Sequence, residues 1–229
     1  MTRFSYFTLN HAHTAKGVVV VIDVLRAFTT AAHAFDAGAE RILPVAGVEE
    51  AFLLRKTFSD ALMMGEVDGI KPDGFDFGNS PAQFDGCDLT GYTMIQRTSA
   101  GTQGIVKAEH AELLFAASFV VAKATALTIQ KLAPAEVSFV ITGILMGRDG
   151  DEDRACAEYI QALIQNKKPL ASDYTRRVSQ STAGLSFLSE EHRDLLKEDL
   201  DLSVQQDRFS FSMPVFRQGT LLVMSRNFL

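Results

Sequence analysis

The chain has 229 residues, of which 47% are hydrophobic and 22% are charged, so it can bury a full core as one large domain or as two small intertwined lobes. Its net charge of −6 and the absence of any Lys/Arg block argue against a nucleic-acid-binding protein. No apolar run reaches the length of a membrane span, and residues 1–10 lack the pattern of a secretion signal. Two cysteines without a CxxC pair suit a reducing cytoplasm, so we expect a cytoplasmic protein.

Predicted strands and helices alternate along the first 64 residues. Residues 17–22, GVVVVI, are typical of a strand that is buried on both faces of a parallel sheet. Helix spacing follows over 29–38 and ends at a glycine. A second helix, over 48–58, has Glu49 and Glu50 in its first turn, where negative charge suits the helix dipole. Short strands are predicted over 41–45 and 61–64.

The same alternation continues to residue 166. Strands are predicted over 92–97, 112–116 and 136–142, and helices over 101–110, 119–132 and 153–166. This pattern predicts an α/β fold, with three α/β/α layers and a mainly parallel or mixed sheet. The tail differs, because it predicts one polar helix over 175–200 and two strands, 213–216 and 220–225, that close an edge of the sheet.

The segment 65–81 is the most informative stretch of the chain. It follows a predicted buried strand and is too rich in Gly, Pro, Asp and Asn to be helix or sheet. A loop that concentrates hard oxygen ligands at the end of a strand is a natural place for Mg²⁺ and an oxyanion. Its polar side chains are Glu66, Asp68, Asp73, Asp76, Asn79 and Ser80.

Polar residues also follow most of the other predicted strands. Ligands of open α/β sheets bind beyond the carboxyl ends of the strands. We therefore expect these residues to share one site at one edge of the sheet. They are Asp23 and Arg26, Glu66 with the loop up to Ser80, Arg97 with Thr98, Ser99, Gly101 and Thr102, then Ser118, and finally Glu152 and Asp153.

The chemistry of these residues is coherent. Arg26 and Arg97 can clamp a tetrahedral oxyanion. The turn over 98–102 opens a helix, so its backbone N–H groups would point at an anion. Together with a metal, these are the parts that polarise a phosphate ester. The candidate Mg²⁺ ligands are Asp23, Glu66, Asp76, Glu152 and Asp153.

Each candidate also has a structural alternative. For Asp23 alone, a helix N-cap is as good an interpretation as a ligand. The turn over 98–102 can simply cap its helix, and Asp68 and Asp73 are expected to be solvated. The remaining alternatives are Glu152 and Asp153 as partners of a helix dipole, and Ser80 as an N-cap before Pro81.

Four segments resemble the 2-phosphosulfolactate phosphatase family of ComB-like proteins. They are 20–30 (VVIDVLRAFTT), 65–66 with 74–81 (GE and GFDFGNSP), 97–102 (RTSAGT) and 152–153 with 156–157 (ED and CA). The resemblance implies a fold peculiar to that family and a Mg²⁺-dependent phosphatase. It further implies hydrolysis of 2-phosphosulfolactate to sulfolactate and phosphate, a reaction of coenzyme M biosynthesis.

The resulting hypothesis is a Mg²⁺-dependent phosphatase that acts on a small phosphorylated hydroxy acid, with a homodimer as a possible assembly. Attack by water and phosphorylation of Asp23 both stay open, although Leu25 stands where a haloacid-dehalogenase phosphatase has a second Asp. The catalytic candidates are Asp23, Arg26 and Glu66. The substrate-binding candidates are Arg26, Asn79, Ser80, Arg97, Thr98, Ser99, Gly101, Thr102 and Ser118.

A second hypothesis is a divergent family member that binds a small anion without turnover. Ala100 stands where the family usually has Asn, and Val121 stands where it often has Asn, so two amides are missing. A nucleotide-binding enzyme is a weaker third hypothesis, because no GxGxxG or GxxxxGK[ST] motif follows any strand.

Overall fold

The computed structural model describes residues 2–144, 147–189 and 195–228. Its strands are β1 (Arg3–Thr8), β2 (Gly17–Ile22), β3 (Arg41–Val45), β4 (Leu62–Gly65), β5 (Thr93–Arg97), β6 (Ala111–Ala117), β7 (Glu136–Ile141), β8 (Phe211–Gln218), β9 (Leu221–Met224) and β10 (Asn227–Phe228). Its helices are α1 (Ala27–Asp36), α2 (Val48–Thr57), α3 (Gly101–Lys107), α4 (Ala122–Leu132), α5 (Asp151–Ile164), α6 (Ala171–Gln180), α7 (Thr182–Ser186) and α8 (Lys197–Ser203).

The valine run is the centre of a large sheet. All six residues of β2 are buried, as predicted for a strand covered on both faces. The sheet follows the order β1-β7-β2-β6-β8-β9-β3-β5-β4, and β10 pairs with β8. Helices cover both faces, so the predicted three-layer α/β/α fold is confirmed. Within the described residues, no helix is both long and apolar enough to cross a bilayer.

Two parallel blocks make up the sheet. Strands β1, β7, β2 and β6 pair in parallel, and so do β3, β5 and β4. The hairpin β8–β9 lies between the blocks and pairs antiparallel with β6 on one side and with β3 on the other. The two blocks therefore run in opposite directions, and the prediction that all carboxyl ends lie along one edge is wrong in that form.

The carboxyl ends of β2 and β5 nevertheless meet. The side-chain amide of Gln96, near the end of β5, donates a 2.8 Å hydrogen bond to the carbonyl oxygen of Ala27, at the start of α1. Sheets twist by roughly 20–25° per strand, which over the five steps from β2 to β5 accumulates to roughly 100–125°. Because of this twist, the strands of the second block are far from exactly antiparallel to those of the first. Polar residues from both blocks can therefore still share a site.

The tail departs most from prediction. The strands predicted over 213–216 and 220–225 lie in the middle of the sheet rather than at its edge, because Met213, Val215 and Met224 are buried and need cover on both sides. The edges are β4 and β1, and β1 was not predicted.

The predicted helix over 175–200 is three separate helices in the described residues, and 190–194 lie outside them. The first break falls at Ser181, whose backbone is extended and whose hydroxyl accepts a hydrogen bond from the Gly184 N–H as the N-cap of α7. A side chain that caps a new helix ends the preceding one at the same point.

Gly65, the last residue of β4, is the glycine whose replacement we expect to be most disruptive. It has φ of +136°, and a Cβ there would overlap the carbonyl oxygen of Arg97 on β5. We expect Gly65→Ala to lower the free energy of unfolding by about 3 kcal/mol or more. Urea denaturation measures this. Gly47→Ala is the control, because a Cβ at Gly47 meets nothing within 4 Å; equal losses in the two variants would contradict the expectation.

Candidate active site

Asp23 lies directly after β2 and is only 5% exposed. Its Oδ1 accepts a 3.0 Å hydrogen bond from the N–H of Ala27, so it does hold the first turn of α1. Its Oδ2 faces Gly101 so closely that a Cβ there would stand 2.8 Å away. Burial raises the pKa of Asp23 to about 6, and the negative charges of Glu66 and Glu152 add to the rise. Asp23 therefore caps α1, and it is also a carboxylate whose negative charge is disfavoured by burial and by its acidic neighbours.

Asp153, in the first turn of α5, joins the ends of two strands. Its Oδ1 accepts from the N–H of Val24 at 2.8 Å, and its Oδ2 accepts from the N–H of Gly143 at 2.7 Å and from the Thr142 hydroxyl at 3.2 Å. Burial raises its pKa well above the usual range, with Glu152 and Asp23 adding repulsion. Both oxygens are already used by the protein, so Asp153 positions the loops around the site.

Glu152 has an oxygen that is buried without a hydrogen bond. The side chain is 2% exposed, and its Oε2 has no hydrogen-bond partner among the described residues. Burial raises its pKa. A Cβ at Gly143 would overlap its Oε1, so glycine at that position makes room for the carboxylate. A buried polar atom without a partner is uncommon and points to a missing ligand or water.

Asp23, Glu152 and Asp153 surround a small polar cavity of about 30 Å³. That volume is enough for one water molecule or one metal ion. The residues that line the cavity are Asp23, Leu25, Ala100, Thr142, Gly143, Arg148, Glu152 and Asp153. The cavity joins the end of β2, the entry to α3 and the β7–α5 connection.

The donor set of this cavity fits Mg²⁺ in one of its usual modes. No group of three or more His, Cys, Asp or Glu in the described parts of the chain is arranged as a metal-binding cluster. Mg²⁺, however, is commonly held by one or two carboxylates, with waters and substrate phosphate completing its shell. Asp23 and Glu152 both line the cavity and are the carboxylates that could take this role; a cation there would relieve their repulsion.

Glu66 holds the loop 65–81 against the turn before α3. Its Oε1 accepts from the Ser99 N–H at 2.6 Å. Its Oε2 accepts from the Gly69 N–H at 2.7 Å and from the Ser99 hydroxyl at 3.0 Å. Glu66 is close enough to Asp23 for its charge to raise the pKa of that carboxyl. In this arrangement Glu66 and Ser99 bind each other.

Asp76 is not brought to the cavity. Its Oδ2 forms a 3.0 Å ion pair with Arg55 of α2 and accepts from the Met63 N–H of β4 at 2.8 Å. The side chain therefore ties the loop to the edge strand. Its position in the same loop as Glu66 suggested a shared role, but Arg55 and the Met63 N–H determine where its carboxylate lies.

Arg26 forms a buried ion pair with Asp199 of α8. The distance from Nη1 to Oδ2 is 2.6 Å, and the two side chains are 6% and 0% exposed. Asp199 Oδ1 also accepts from the Ser80 hydroxyl at 2.7 Å and from the Ala82 N–H at 3.3 Å. The adjacent Asn79 is buried, and its Oδ1 has no partner among the described residues. Arg26 and Ser80 thus meet through a carboxylate from the tail.

Thr98 and Thr102 bind each other across the turn before α3. The Thr102 hydroxyl accepts from the Thr98 N–H at 2.8 Å, and the Thr98 hydroxyl accepts from the Thr102 N–H at 3.0 Å. Arg97 donates to the carbonyl oxygens of Glu66 at 2.7 Å and Ala46 at 3.3 Å. Thr98 therefore satisfies one N–H of the first turn of α3, as the capping alternative predicts in part, and Arg97 braces the loop.

Ser118 follows β6 beside the end of β2, where the Asp23 N–H donates to the Ala117 carbonyl oxygen at 3.2 Å. The Ser118 side chain is fully buried, and its hydroxyl has no partner among the described residues. It lies near the carboxylates but does not line the cavity.

Residues 6–213 match the model of a family described as 2-phosphosulpholactate phosphatase. The chain belongs to this family. Family membership confirms the resemblance seen in the motifs and makes the protein a phosphoric monoester hydrolase.

Several relatives in the family are named probable 2-phosphosulfolactate phosphatase. The one from Bacillus subtilis is 33% identical over 218 residues, which cover 95% of each chain. The one from Carboxydothermus hydrogenoformans is 45% identical over 155 residues, or 66% of this chain and 62% of the relative. The one from Deinococcus radiodurans is 36% identical over 151 residues, or 64% and 62%.

Two residues that the structure places at the site were not identified from the sequence. Asp199 lies in the tail, 173 positions from Arg26, and no spacing connects them. Arg148 lines the cavity from the connection between β7 and α5. Neither residue belongs to a motif, so only the folded arrangement identifies them.

We expect the loss of one partner of the buried Arg26–Asp199 pair to destabilise the fold strongly. Asp199→Ala leaves a buried guanidinium without its counter-ion, which should cost about 3–5 kcal/mol. The double variant Arg26→Met/Asp199→Leu removes both charges and should recover much of that loss. Urea denaturation of the single and double variants measures the difference. Asp201→Ala, at an exposed position of the same helix, is the control and should change little; a similar effect of D199A and D201A would refute the expectation.

The raised pKa of Asp23 makes stability depend on pH. The folded-state pKa is about 6, above the ordinary value of 3.8, so the folded protein retains a proton that the unfolded chain has already lost. The contribution of this group to stability is therefore lost as pH rises through about 4 to 6.

We expect Asp23→Asn, measured in EDTA, to raise the free energy of unfolding at pH 7.5 by on the order of 1–3 kcal/mol. The gain should vanish below about pH 3, where the wild-type carboxyl is neutral in both states. Asn keeps an oxygen for the Ala27 N–H, so the cap is retained. Denaturation at a series of pH values checks this, and a D23N variant that is less stable at pH 7.5 would contradict it.

Proposed function

We propose that the protein is a Mg²⁺-dependent phosphatase that hydrolyses 2-phosphosulfolactate, or a closely related small phosphorylated hydroxy acid. The single observation that supports this best is the pair of buried carboxylates, Asp23 and Glu152, around a cavity of one-ion size in a chain of this family. The names of the relatives supply the substrate.

Asp23 and Glu152 are the residues that would hold Mg²⁺. The ion, when bound, supplies Lewis-acid polarisation of a phosphoryl oxygen and neutralises negative charge that develops there. Asp153 keeps the Val24 and Gly143 backbones in place through its three hydrogen bonds. Glu66 fixes the Ser99 backbone at the entry to α3. These contacts preorganise the cavity, which is what positioning a reactive phosphate requires.

The net reaction breaks the bond between phosphorus and the oxygen that is attached to carbon. The oxygen of a water molecule forms the new bond to phosphorus. One proton of that water ends on the released hydroxyl group of the hydroxy acid, and inorganic phosphate is the second product.

The test is release of inorganic phosphate from 2-phosphosulfolactate and from 2-phospholactate, with Mg²⁺ or with EDTA. We expect activity with Mg²⁺ only, and a loss of kcat/KM of about hundredfold or more in Asp23→Asn and Glu152→Gln. Asp60→Asn removes an exposed carboxylate and is the matched control.

A second readout separates metal binding from turnover. Mg²⁺ should raise the unfolding temperature of the wild-type protein and have a much smaller effect on D23N and E152Q, because a ligand stabilises the state that binds it. Hydrolysis that EDTA leaves unchanged would refute the metal role. Mg²⁺-dependent binding of phosphate without hydrolysis of any ester would instead support the divergent anion-binding member.

A further inference from the structure

The candidate site concentrates negative charge, which disfavours the binding of an anionic substrate. Asp23, Glu152 and Asp153 are buried around a single cavity, and a phosphate monoester that approaches them adds more negative charge. A phosphate group in such a place needs cationic partners besides any metal ion. The described structure must therefore offer a cation at the mouth of the cavity if it is to bind phosphate there.

The two arginines that the sequence suggested are already engaged. Arg26 is buried in its ion pair with Asp199, and Arg97 donates to two backbone carbonyl oxygens and to the Ser99 hydroxyl. Neither lines the cavity. If Arg26 moved away to bind a substrate, the Asp199 carboxylate would remain buried without its counter-ion. That would destabilise the protein strongly.

Arg148 is the cationic residue that does line the cavity. It is exposed and makes no ion pair or hydrogen bond with the other described residues. It lies close enough to Glu152 for its charge to lower the pKa of that carboxyl, against the larger effect of burial. Its guanidinium is thus near the carboxylates and has its donors available.

The backbone beside Arg148 is held in place. The neighbouring Asp149 accepts from the Thr182 hydroxyl of α7 at 2.9 Å and from the Asp151 N–H at 3.1 Å. Gly150 follows with φ of +63° and is the N-cap residue of α5. The turn is therefore anchored to two helices, and Arg148 projects from an ordered support.

We propose that Arg148 binds the phosphate group of the substrate at the mouth of the cavity, an inference that rests on the proposed function. The cavity of about 30 Å³ has room for an ion or a water molecule but not for a phosphate group, so the phosphate stays at the mouth, beside Arg148. The planar guanidinium presents two parallel N–H donors that match two phosphate oxygens. Arg148 also offsets the charge of the carboxylates for the incoming anion.

The test uses inorganic phosphate as the probe and the Mg²⁺-loaded full chain. We expect Arg148→Gln to weaken phosphate binding, measured by calorimetry, by about tenfold to a hundredfold, as for the loss of a charged hydrogen bond. Kcat/KM should fall by a similar factor. Arg148→Lys keeps the charge but loses the two parallel N–H donors. Its phosphate affinity and its kcat/KM should therefore lie between those of R148Q and the wild type.

Arg154→Gln is the control with the same change of charge. Arg154 also lies near the start of α5, but its side chain contacts Glu158 and the Tyr6 ring rather than the cavity. Phosphate binding and kcat/KM that are equal in R148Q and R154Q would overturn the proposal.

The outcomes also separate this proposal from the proposed function. Weaker phosphate binding in R148Q than in R154Q, in a protein that hydrolyses no phosphate ester, supports Arg148 as an anion site and refutes the phosphatase. Hydrolysis by the wild type with no difference between R148Q and R154Q refutes Arg148 alone. A wild-type protein that neither binds phosphate nor hydrolyses a phosphate ester refutes both.

Discussion

The buried ion pair between Arg26 and Asp199 is the contact on which the rest of the site depends. Arg26 belongs to the turn that also carries Asp23, and Asp199 reaches that turn from α8. Removing two charges from water is expensive, and the cost is offset only where further hydrogen bonds complete the partners. Ser80 and the Ala82 N–H do so for Asp199. The pair therefore joins the β2–α1 turn, the end of the loop 65–81 and the tail.

A second constraint is repulsion among the carboxylates at the cavity. Three acidic side chains share an interior region, and burial raises the pKa of each of them. They differ in what else they bind: Asp153 has amide and hydroxyl donors on both oxygens, whereas Glu152 has an oxygen with no donor. Asp153 therefore shapes the cavity, whereas Glu152 is available for a cation.

Local rules predicted much of the structure. The valine run of β2 and the first turn of α5 were recognisable, because burial on both faces and acidic helix starts leave local signals. Those signals led to Asp23, Glu152 and Asp153. The central position of β8 and β9, and the partners of Asp76 and Arg26, were not predictable. Each depends on a pairing between segments that are far apart in the chain. The local sequence around a residue does not indicate such a pairing.

The hairpin β8–β9 also has a consequence for how the protein is made. It occupies the middle of the sheet, yet it follows the strands of both parallel blocks in the chain. During synthesis, the two blocks can each form their own pairs early, but they become one sheet only after residue 224 has left the ribosome. The carboxylates of the first block and the Glu66 loop of the second can come together only then. Activity is thus withheld from every nascent chain that stops short of β9.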